Sequence, residues 1–406
     1  MWNQRKRWGV VIAAILLAVV LTGPDVYAAS DETSADAAAV PIGNGARMVT
    51  EEGYLKLHPP VVYNPLTGIE GYNEAAVGKR PIALVVENDP KARPQWGIDD
   101  PEKSPDIILE GEMEGGETRT LWFYADMNSL PSQVGPLRSA RPPYVRFSEL
   151  FDAIFVHCGF SRTTWDYTGA DTVFEEDQVD HIDMLHYDNA TGVFDRDYTR
   201  TSMLEHTAFL RGERVADTVA AFGFRTDADL SHYTVFEFRR NEEPAEPETF
   251  AGLAGAANAA VAAYLAPPEE PEEPAGTPCR TIDCTFSSAT DTRHFEYSEA
   301  DGMYHTQDYY TDVARTNVLI LFDTTQYISK ADYWGAGQEE LYCDYLFTGG
   351  TGKLASAGKV EDITWAVENG KIVLRNQDGE PALLTPGKTW IGWCSGNKGG
   401  SATTAE

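Results

Sequence analysis

The sequence lacks the motifs that identify the common nucleotide-binding and hydrolytic enzymes. No Walker phosphate loop, GxGxxG fingerprint, Gly-x-Ser-x-Gly elbow or HExxH zinc motif occurs in its 406 residues. We therefore expect a binding protein rather than an enzyme of a motif-defined class. The sequence also predicts no cofactor and no metal site.

Positive charge is scarce as well. The chain carries 32 Lys and Arg against 63 Asp and Glu, which gives a net charge of −31. A field of this sign repels phosphate backbones and anionic lipid, so we expect no nucleic-acid partner. The acidic excess either serves solubility or reflects a salt-rich habitat.

Long apolar runs are absent beyond the N-terminus. The one run there, Gly9–Leu21, has 13 residues and follows a basic stretch at 5–7. It is shorter than the roughly 20 residues that span a bilayer, and small residues follow it up to Ala28. Residues 1–28 are therefore predicted to be a secretory signal peptide cleaved after Ala28, with an uncleaved anchor as the alternative. We expect an exported protein, extracellular or envelope-associated, with no transmembrane span after cleavage.

Cysteine is rare, and the spacing of the five residues is not that of a zinc site: Cys158, Cys279, Cys284, Cys343 and Cys394. Export would place them in an oxidising compartment. Cys279 could then pair with Cys284, and Cys343 with Cys394. An odd number leaves at least one thiol free or intermolecular, and the spacing alone does not fix the pairing.

Composition divides the rest of the chain into segments. We predict a disordered tether at 29–60, an α/β N-terminal domain at 61–252, an alanine-rich helix with a Pro/Glu-rich linker at 253–278, a β-rich C-terminal domain at 279–396 and a disordered tail at 397–406.

The N-terminal domain has the pattern of an α/β fold. Apolar runs predict four strands, at 81–88, 106–113, 118–127 and 152–159. A short helix is predicted between the third and fourth, with Ser139 as its N-cap and Pro142 in its first turn. This order predicts a parallel pair of strands joined by a right-handed crossover, in a mixed or parallel sheet. A second helix is predicted over 201–224, broken at Gly212.

The C-terminal domain has the pattern of antiparallel β structure. Short β-prone runs alternate with Asn-Gly, Asp-Gly and Pro-Gly turns. The strongest hairpin signal is AVENGKIVL, residues 366–374, around Asn369 and Gly370. We therefore expect a mainly antiparallel β domain.

Several long motifs occur in an order that resembles a known family. They are NPLTG (64–68), RPIALVVENDPKARPQWGI (80–98), EGEMEGGETR (110–119), GPLRSARP (135–142), FVHCG (155–159) and DITWAVENGKIVL (362–374). Together they resemble the YerB-like lipoproteins of bacteria. The resemblance implies an exported envelope protein with N- and C-terminal domains of unknown function, and it implies no established catalysis. Two features depart from the family pattern: no cysteine suited to lipid attachment precedes Cys158, and Glu205–His206–Thr207 stands in place of Pro-His-Asn.

The stretch GPLRSARP supplies the main candidate site. Arg138 and Arg141 lie three residues apart beside the predicted helix start at Ser139. Free N–H groups of a first helical turn, together with two guanidinium groups, suit a carboxylate or phosphate. Arg119 and His157 belong to the same predicted ligand-binding set. The alternative is that the arginines form internal ion pairs with neighbouring glutamates, Glu110, Glu112 or Glu117.

Glutamates in EGEMEGGE form a second candidate cluster. Strand alternation predicts that Glu110, Glu112 and Glu114 share one face, where they would meet a cation, arginines or solvent. Glu110 and Glu112 are therefore included among the predicted ligand-binding residues. Gly115 and Gly116 most simply make the turn between two strands.

Histidines and aromatic residues offer weaker signals. His157 and Cys158 are adjacent on a strand and point to opposite faces, so they do not make a nucleophile–base pair. His181 and His186, among aspartates, indicate a surface segment more than a metal site. The aromatic residues of SRTTWDY and ADYWGAGQEELY suit either sugar stacking or strand packing.

These observations predict a non-enzymatic envelope protein. We expect it to bind an anionic or glycan-like wall ligand, or a partner protein, through an arginine-lined cleft, and we assign no catalytic residue. The alternative is a wall-carbohydrate hydrolase that uses Glu110 or Glu112 with His157.

Overall fold

The computed structural model describes residues 39–42, 46–49, 62–239, 275–330 and 340–406. β1 (Ala39–Ile42) and β2 (Ala46–Val49) form an antiparallel hairpin within the segment predicted as a tether, 29–60. The predicted signal peptide and most of the predicted 253–278 segment lie outside the described residues. All other described residues belong to one compact unit.

The N-terminal part of this unit contains seven described strands and three α-helices. The strands are β3 (Ile82–Val86), β4 (Ile107–Glu114), β5 (Glu117–Tyr124), β6 (Ile154–His157), β7 (His181–Asp183), β8 (Phe194–Arg196) and β9 (Ala208–Leu210). The helices are α1 (Pro142–Glu149), α2 (Ala170–Glu176) and α3 (Val215–Phe222). All four strands that the apolar runs predict are present.

The C-terminal part is built of strands. They are β10 (Thr277–Pro278), β11 (Thr281–Thr285), β12 (Thr292–Ser298), β13 (Met303–Thr306), β14 (Val313–Arg315), β15 (Asn317–Asp323), β16 (Thr325–Lys330), β17 (Glu340–Tyr345), β18 (Gly350–Ser356), β19 (Lys359–Glu368), β20 (Lys371–Arg375), β21 (Thr389–Ser395) and β22 (Ser401–Ala405). The β19–β20 hairpin turns at Asn369 and Gly370, which both have positive φ as the Asn-Gly signal predicts.

One large sheet contains strands from both parts. Its main path runs β10-β19-β18-β15-β21-β4-β5-β3-β6-β7, with β20 beside β19 and the β16–β17 hairpin attached to β4. A five-stranded sheet, β14-β13-β12-β11-β22, lies apart from it. The mixed first part with few helices and the mainly antiparallel second part confirm the predicted fold class. The domain boundaries remain a prediction.

The large sheet is covered on both faces. One face packs against α1 and α2 through Tyr144, Phe147 and Phe174. The other packs against the five-stranded sheet, where Phe295 and Tyr304 contribute to the core. This two-sided burial explains the nearly continuous aliphatic run of β3, whose five residues are all buried.

The topology corrects three predictions. β5 and β6 are not a parallel pair: β3 lies between them, antiparallel to β5 and parallel to β6. The two-glycine turn at 115–116 is the reason, because it sends β5 back along β4 as a hairpin. Within residues 201–224, the only α-helix is Val215–Phe222, and part of the remaining segment forms β9. The C-terminal tail is ordered, since β22 pairs with the open edge of β11.

The cysteine pairings that the spacing suggested are not the ones that the fold brings together. All five thiols are free. The sulfur of Cys284 lies 3.3 Å from that of Cys394, 110 residues away. Packing between the two sheets sets this contact, and sequence spacing does not reveal it.

Candidate functional site

The arginine loop, residues 135–142, crosses the ends of two strands. Arg138 donates its backbone N–H to Val85 O (2.9 Å), and its carbonyl accepts from Cys158 N (2.9 Å). Ala140 continues the pattern with a parallel bridge to Phe160. The loop is therefore held between the carboxyl ends of β3 and β6, where open α/β sheets place their ligands.

The start of α1 differs from the prediction. Arg141, not Ser139, is the N-cap residue, and it makes no side-chain capping bond. Ser139 Oγ instead donates to Cys158 O (3.1 Å). Pro142 and Pro143 have no N–H, and Tyr144 N–H donates to Arg141 O. The first turn therefore offers none of the donors that the predicted anion site needed.

Each arginine of the predicted set contacts a glutamate. Arg119 Nη2 lies 3.0 Å from Glu114 Oε1, and Arg141 Nε lies 2.6 Å from the same oxygen. Arg138 pairs with Glu87. Burial raises the pKa of Glu114, but the guanidinium groups of Arg119 and Arg141 outweigh it and hold that pKa below its usual value. The alternative of internal ion pairing therefore describes these side chains, although the partners are not the glutamates that the sequence suggested.

The three glutamates of β4 do not form one cluster. Glu110 lies beside Arg293 (2.8 Å), whereas Glu112 accepts hydrogen bonds from Tyr327 (2.8 and 3.0 Å). A register shift between Glu112 and Glu114 breaks the alternation on which the prediction rested. Glu110 and Glu112 are completely buried.

His157 is a core residue. It is completely buried, and its ring stacks on Phe174 at 5.0 Å. Its Nδ1 bonds to Gly159 O (2.8 Å) and its Nε2 to His181 Nδ1 (3.0 Å). Burial lowers the pKa of His157 to about 4, although Asp183 opposes this shift. His157 is therefore neutral at physiological pH, and its side chain contacts Gly159, His181 and Phe174.

A cleft of about 400 Å³ adjoins the arginine loop, and we call it the Trp165 cleft. Three elements form its walls: the first turn of α1, the loop before α2, and the β16–β17 hairpin. Its lining residues are Arg141, Pro142, Pro143, Arg146, Thr164, Trp165, Asp166, Tyr167, Thr168, Gln326, Ile328, Tyr342, Cys343 and Asp344.

Trp165 is the most exposed large hydrophobic side chain among the described residues, at 90 %. Its loop is anchored on both sides: Thr164 N donates to Tyr167 O (2.8 Å), and Gly169 N donates to Thr163 Oγ1 (2.8 Å). A side chain at Gly169 would collide with Ser161 O, at 2.4 Å. The backbone therefore holds the indole out at the rim of the cleft.

Aromatic rings make one wall of the cleft. Tyr167 and Tyr342 stack with their centroids 4.6 Å apart. The Arg141 guanidinium lies 5.2 Å from the Tyr342 ring, and Lys330 Nζ lies 5.4 Å from it. Burial raises the pKa of Tyr167 to about 12, so its hydroxyl remains protonated and donates to Ser161 Oγ (3.0 Å).

Charges of both signs line the cleft. Arg146 Nη1 lies 3.7 Å from Asp344 Oδ1. Burial raises the pKa of Asp344, while Arg146 acts in the opposite direction. With Arg141 and Asp166 the lining contains two basic and two acidic side chains. The cleft therefore presents donors and acceptors without a strong net field.

Sequence reasoning placed only Arg141 at this cleft. SRTTWDY and ADYWGAGQEELY, which contain Trp165, Tyr167 and Tyr342, were expected to suit either sugar stacking or strand packing and were not assigned to a site. Arg146 and Asp344 were not singled out. The wall from β17 comes from a part of the chain about 180 residues away, and the sequence gives no sign that the two segments meet.

The described part of the chain contains no group of three or more His, Cys, Asp or Glu residues positioned to hold a metal ion. None of its helices combines the length and apolar character that crossing a membrane requires.

The fold and the site define a mixed-sheet protein that has a two-part sequence and a polar, aromatic cleft. Residues 66–225 match the family described as "Protein of unknown function (DUF3048) N-terminal domain", and residues 282–391 match its C-terminal domain. The chain belongs to this DUF3048 family.

Two comparisons support the assignment. The chain is 26 % identical over 328 residues to "Putative lipoprotein YerB" of Bacillus subtilis (strain 168), which covers 80 % of this chain and 84 % of the relative. It also resembles the crystal structure of the YerB protein from Bacillus subtilis, with a TM-score of 0.60, 24 % identity, and coverage of 85 % of this chain and 100 % of the other. The resemblance predicted from the motifs is confirmed, and the structural likeness confirms the fold.

Proposed function

We propose that this is an exported envelope protein that binds a wall glycan in the Trp165 cleft without cleaving it. The observation that carries the proposal is the 90 % exposed indole of Trp165 at the rim of a 400 Å³ cleft. An exposed indole leaves a large flat apolar surface in water, and a ligand with an apolar face gains free energy by covering it.

The polar lining supports a glycan over a simple anion. A sugar presents hydroxyl groups that both donate and accept hydrogen bonds. Thr164, Gln326 and the carboxylate of Asp344 provide acceptors, and Arg146 provides donors. Because basic and acidic groups balance in the lining, and because the whole chain carries a charge of −31, a polyanion gains little there.

The proposed roles of the predicted ligand residues follow from their contacts. Arg141 is the one that lines the cleft and is a proposed ligand contact. The others serve to hold the arginine loop and its neighbouring strands in place: Arg119, Arg138, Ser139, His157, Glu110 and Glu112. Because Glu110 and Glu112 are enclosed and do not line the cleft, the geometry supports binding rather than hydrolysis by these two carboxylates.

The envelope location is proposed on two grounds. The N-terminus has the basic, apolar and small-residue order of a signal peptide, and the relative from Bacillus subtilis carries the name of a lipoprotein.

The test is a binding assay with Trp165→Ala. Purified protein is mixed with insoluble peptidoglycan and with soluble wall fragments, and binding is measured by co-sedimentation and titration calorimetry. We expect the variant to bind about tenfold more weakly, which corresponds to about 1.4 kcal/mol of lost stacking. Tyr198→Ala is the matched control, because Tyr198 is 69 % exposed but does not line the cleft.

Two outcomes would overturn the proposal. Equal binding by the wild type and Trp165→Ala would remove the cleft as the binding site. Release of new reducing ends from the wall fragments would show hydrolysis and favour the alternative function.

A further inference from the structure

Two buried cysteines meet where the two sheets pack together. Cys284 lies on β11 of the five-stranded sheet, and Cys394 lies on β21 of the large sheet. Both side chains are completely buried, and their sulfur atoms are 3.3 Å apart. Each of the other three cysteines has different surroundings: Cys279 contacts Thr281 O at 3.3 Å, for example.

The packing around the pair fixes this approach. A Cβ atom on Gly392 would lie 2.6 Å from Cys284 Sγ, so a glycine at this position is what lets β11 come so close to β21. Neighbouring aromatic rings close the site, with Phe295 and Trp390 4.8 Å apart. The two thiols therefore face each other in an enclosed space.

We propose that Cys284 and Cys394 form a disulfide that links the five-stranded sheet to the large sheet. A disulfide needs its sulfurs about 2.05 Å apart, so the two sulfurs, now 3.3 Å apart, must approach by about 1.3 Å. The inference rests on the export part of the proposed function, because such bonds persist in oxidising compartments. It does not depend on glycan binding.

The bond forms by thiol–disulfide exchange with a disulfide-bearing oxidant. One cysteine thiolate attacks the oxidant, forms a mixed disulfide and releases one thiol. The second cysteine thiolate then displaces the other half of the oxidant. Overall, two electrons and two protons pass from the protein to the oxidant, which becomes two thiols.

Because both thiols are buried in the folded protein, the exchange must take place before the two sheets pack together. Burial raises the pKa of Cys284 well above its ordinary value, so the folded site provides little thiolate. The oxidant must therefore meet the cysteines during folding, and once formed the bond is shielded from reductants. The cross-link closes a loop of about 110 residues, for which the chain-entropy account gives a large stabilisation.

The experiment is oxidative refolding of the full chain in a glutathione redox buffer, followed by alkylation in denaturant without reductant. We expect three alkylated cysteines rather than five, an intact mass about 2 Da lower than that of the reduced chain, and a non-reduced peptide map that joins Cys284 to Cys394. Because the native bond is shielded, the reduced sample is prepared by reduction in denaturant and refolding in reductant, and we expect its Tm to be about 10 °C lower. Cys343→Ser should form the same cross-link, whereas the double variant C284A/C394A should show no Tm difference between oxidised and reduced samples.

Contrary results are equally clear. Five alkylated cysteines after oxidative refolding, or a cross-link between any other pair, would overturn the inference. Since this assay uses no export and no glycan, its failure would leave the Trp165 test unaffected, and failure of the Trp165 test would not bear on the disulfide.

Discussion

Replacing Arg293 by methionine is expected to destabilise the fold by about 3–5 kcal/mol. Arg293 on β12 reaches from the five-stranded sheet to Glu110 on β4, with 2.8 Å between Nη2 and Oε1, and neither side chain is more than 4 % exposed. Without the guanidinium group, Glu110 would hold a buried negative charge whose remaining hydrogen-bond donors, Asn88, Thr118 and Tyr309, are all neutral. Arg93 would be the cation that still acts on it through space. The free energy of unfolding, measured by urea denaturation at pH 7, gives the cost directly.

Two further variants make this measurement decisive. Glu110→Leu combined with Arg293→Met removes both charges, and we expect it to be clearly more stable than Arg293→Met alone. Arg280→Met is the surface control: Arg280 pairs with Glu296 at 2.8 Å while both are more than 60 % exposed, so its loss should cost less than about 1 kcal/mol. The reasoning would be refuted if Arg293→Met lowered the free energy of unfolding by less than about 1 kcal/mol. It would also be refuted if the double variant lost as much stability as the Glu110→Leu and Arg293→Met single variants added together.

Two more predictions concern the core. Because burial lowers the pKa of His157 from 6.5 to about 4, the unfolded chain takes up a proton between these pH values that the folded chain does not. The contribution of His157 to the free energy of unfolding is complete above pH 6.5 and falls by about 3 kcal/mol as the pH drops to 4. His157→Gln should therefore flatten the curve of unfolding free energy against pH between these values. An unchanged slope would contradict the lowered pKa of His157. Gly392→Ala should lower stability by about 1–3 kcal/mol in thermal melts, because its Cβ would lie 2.6 Å from Cys284 Sγ; an unchanged Tm would contradict it.

Local signals predicted the strands and turns well. The aliphatic run 81–88, the two-glycine turn at 115–116 and the Asn369–Gly370 hairpin each depend on interactions within a few residues, and each is present. The helix at 201–224 was wrong over its first half. Alternating burial in Ala208–Leu210 shows why: this segment pairs with β8, and that tertiary contact outweighs a weak helical period.

Partners at long sequence separation could not be predicted. The contact of Cys284 with Cys394 depends on how β21 joins the sheet, and the wall that Tyr342 gives to the Trp165 cleft depends on how β17 joins it. A second cause is the local backbone. The register shift beside Glu114 and the prolines after Arg141 changed the directions of side chains and donors that simple periodicity had assumed.

The position of β21 in the sheet has a consequence for how the protein is made. β21 is the last strand of the large sheet along the chain, yet it lies at the centre, parallel to both β15 and β4. At a synthesis rate of roughly ten residues per second, β21 is therefore made about 30 s after β4, the strand with which it pairs. A nascent chain therefore cannot complete its sheet until β21 has been made. A chain truncated ahead of Thr389 would expose two unpaired strand edges and become a substrate for proteases and chaperones rather than a smaller working protein.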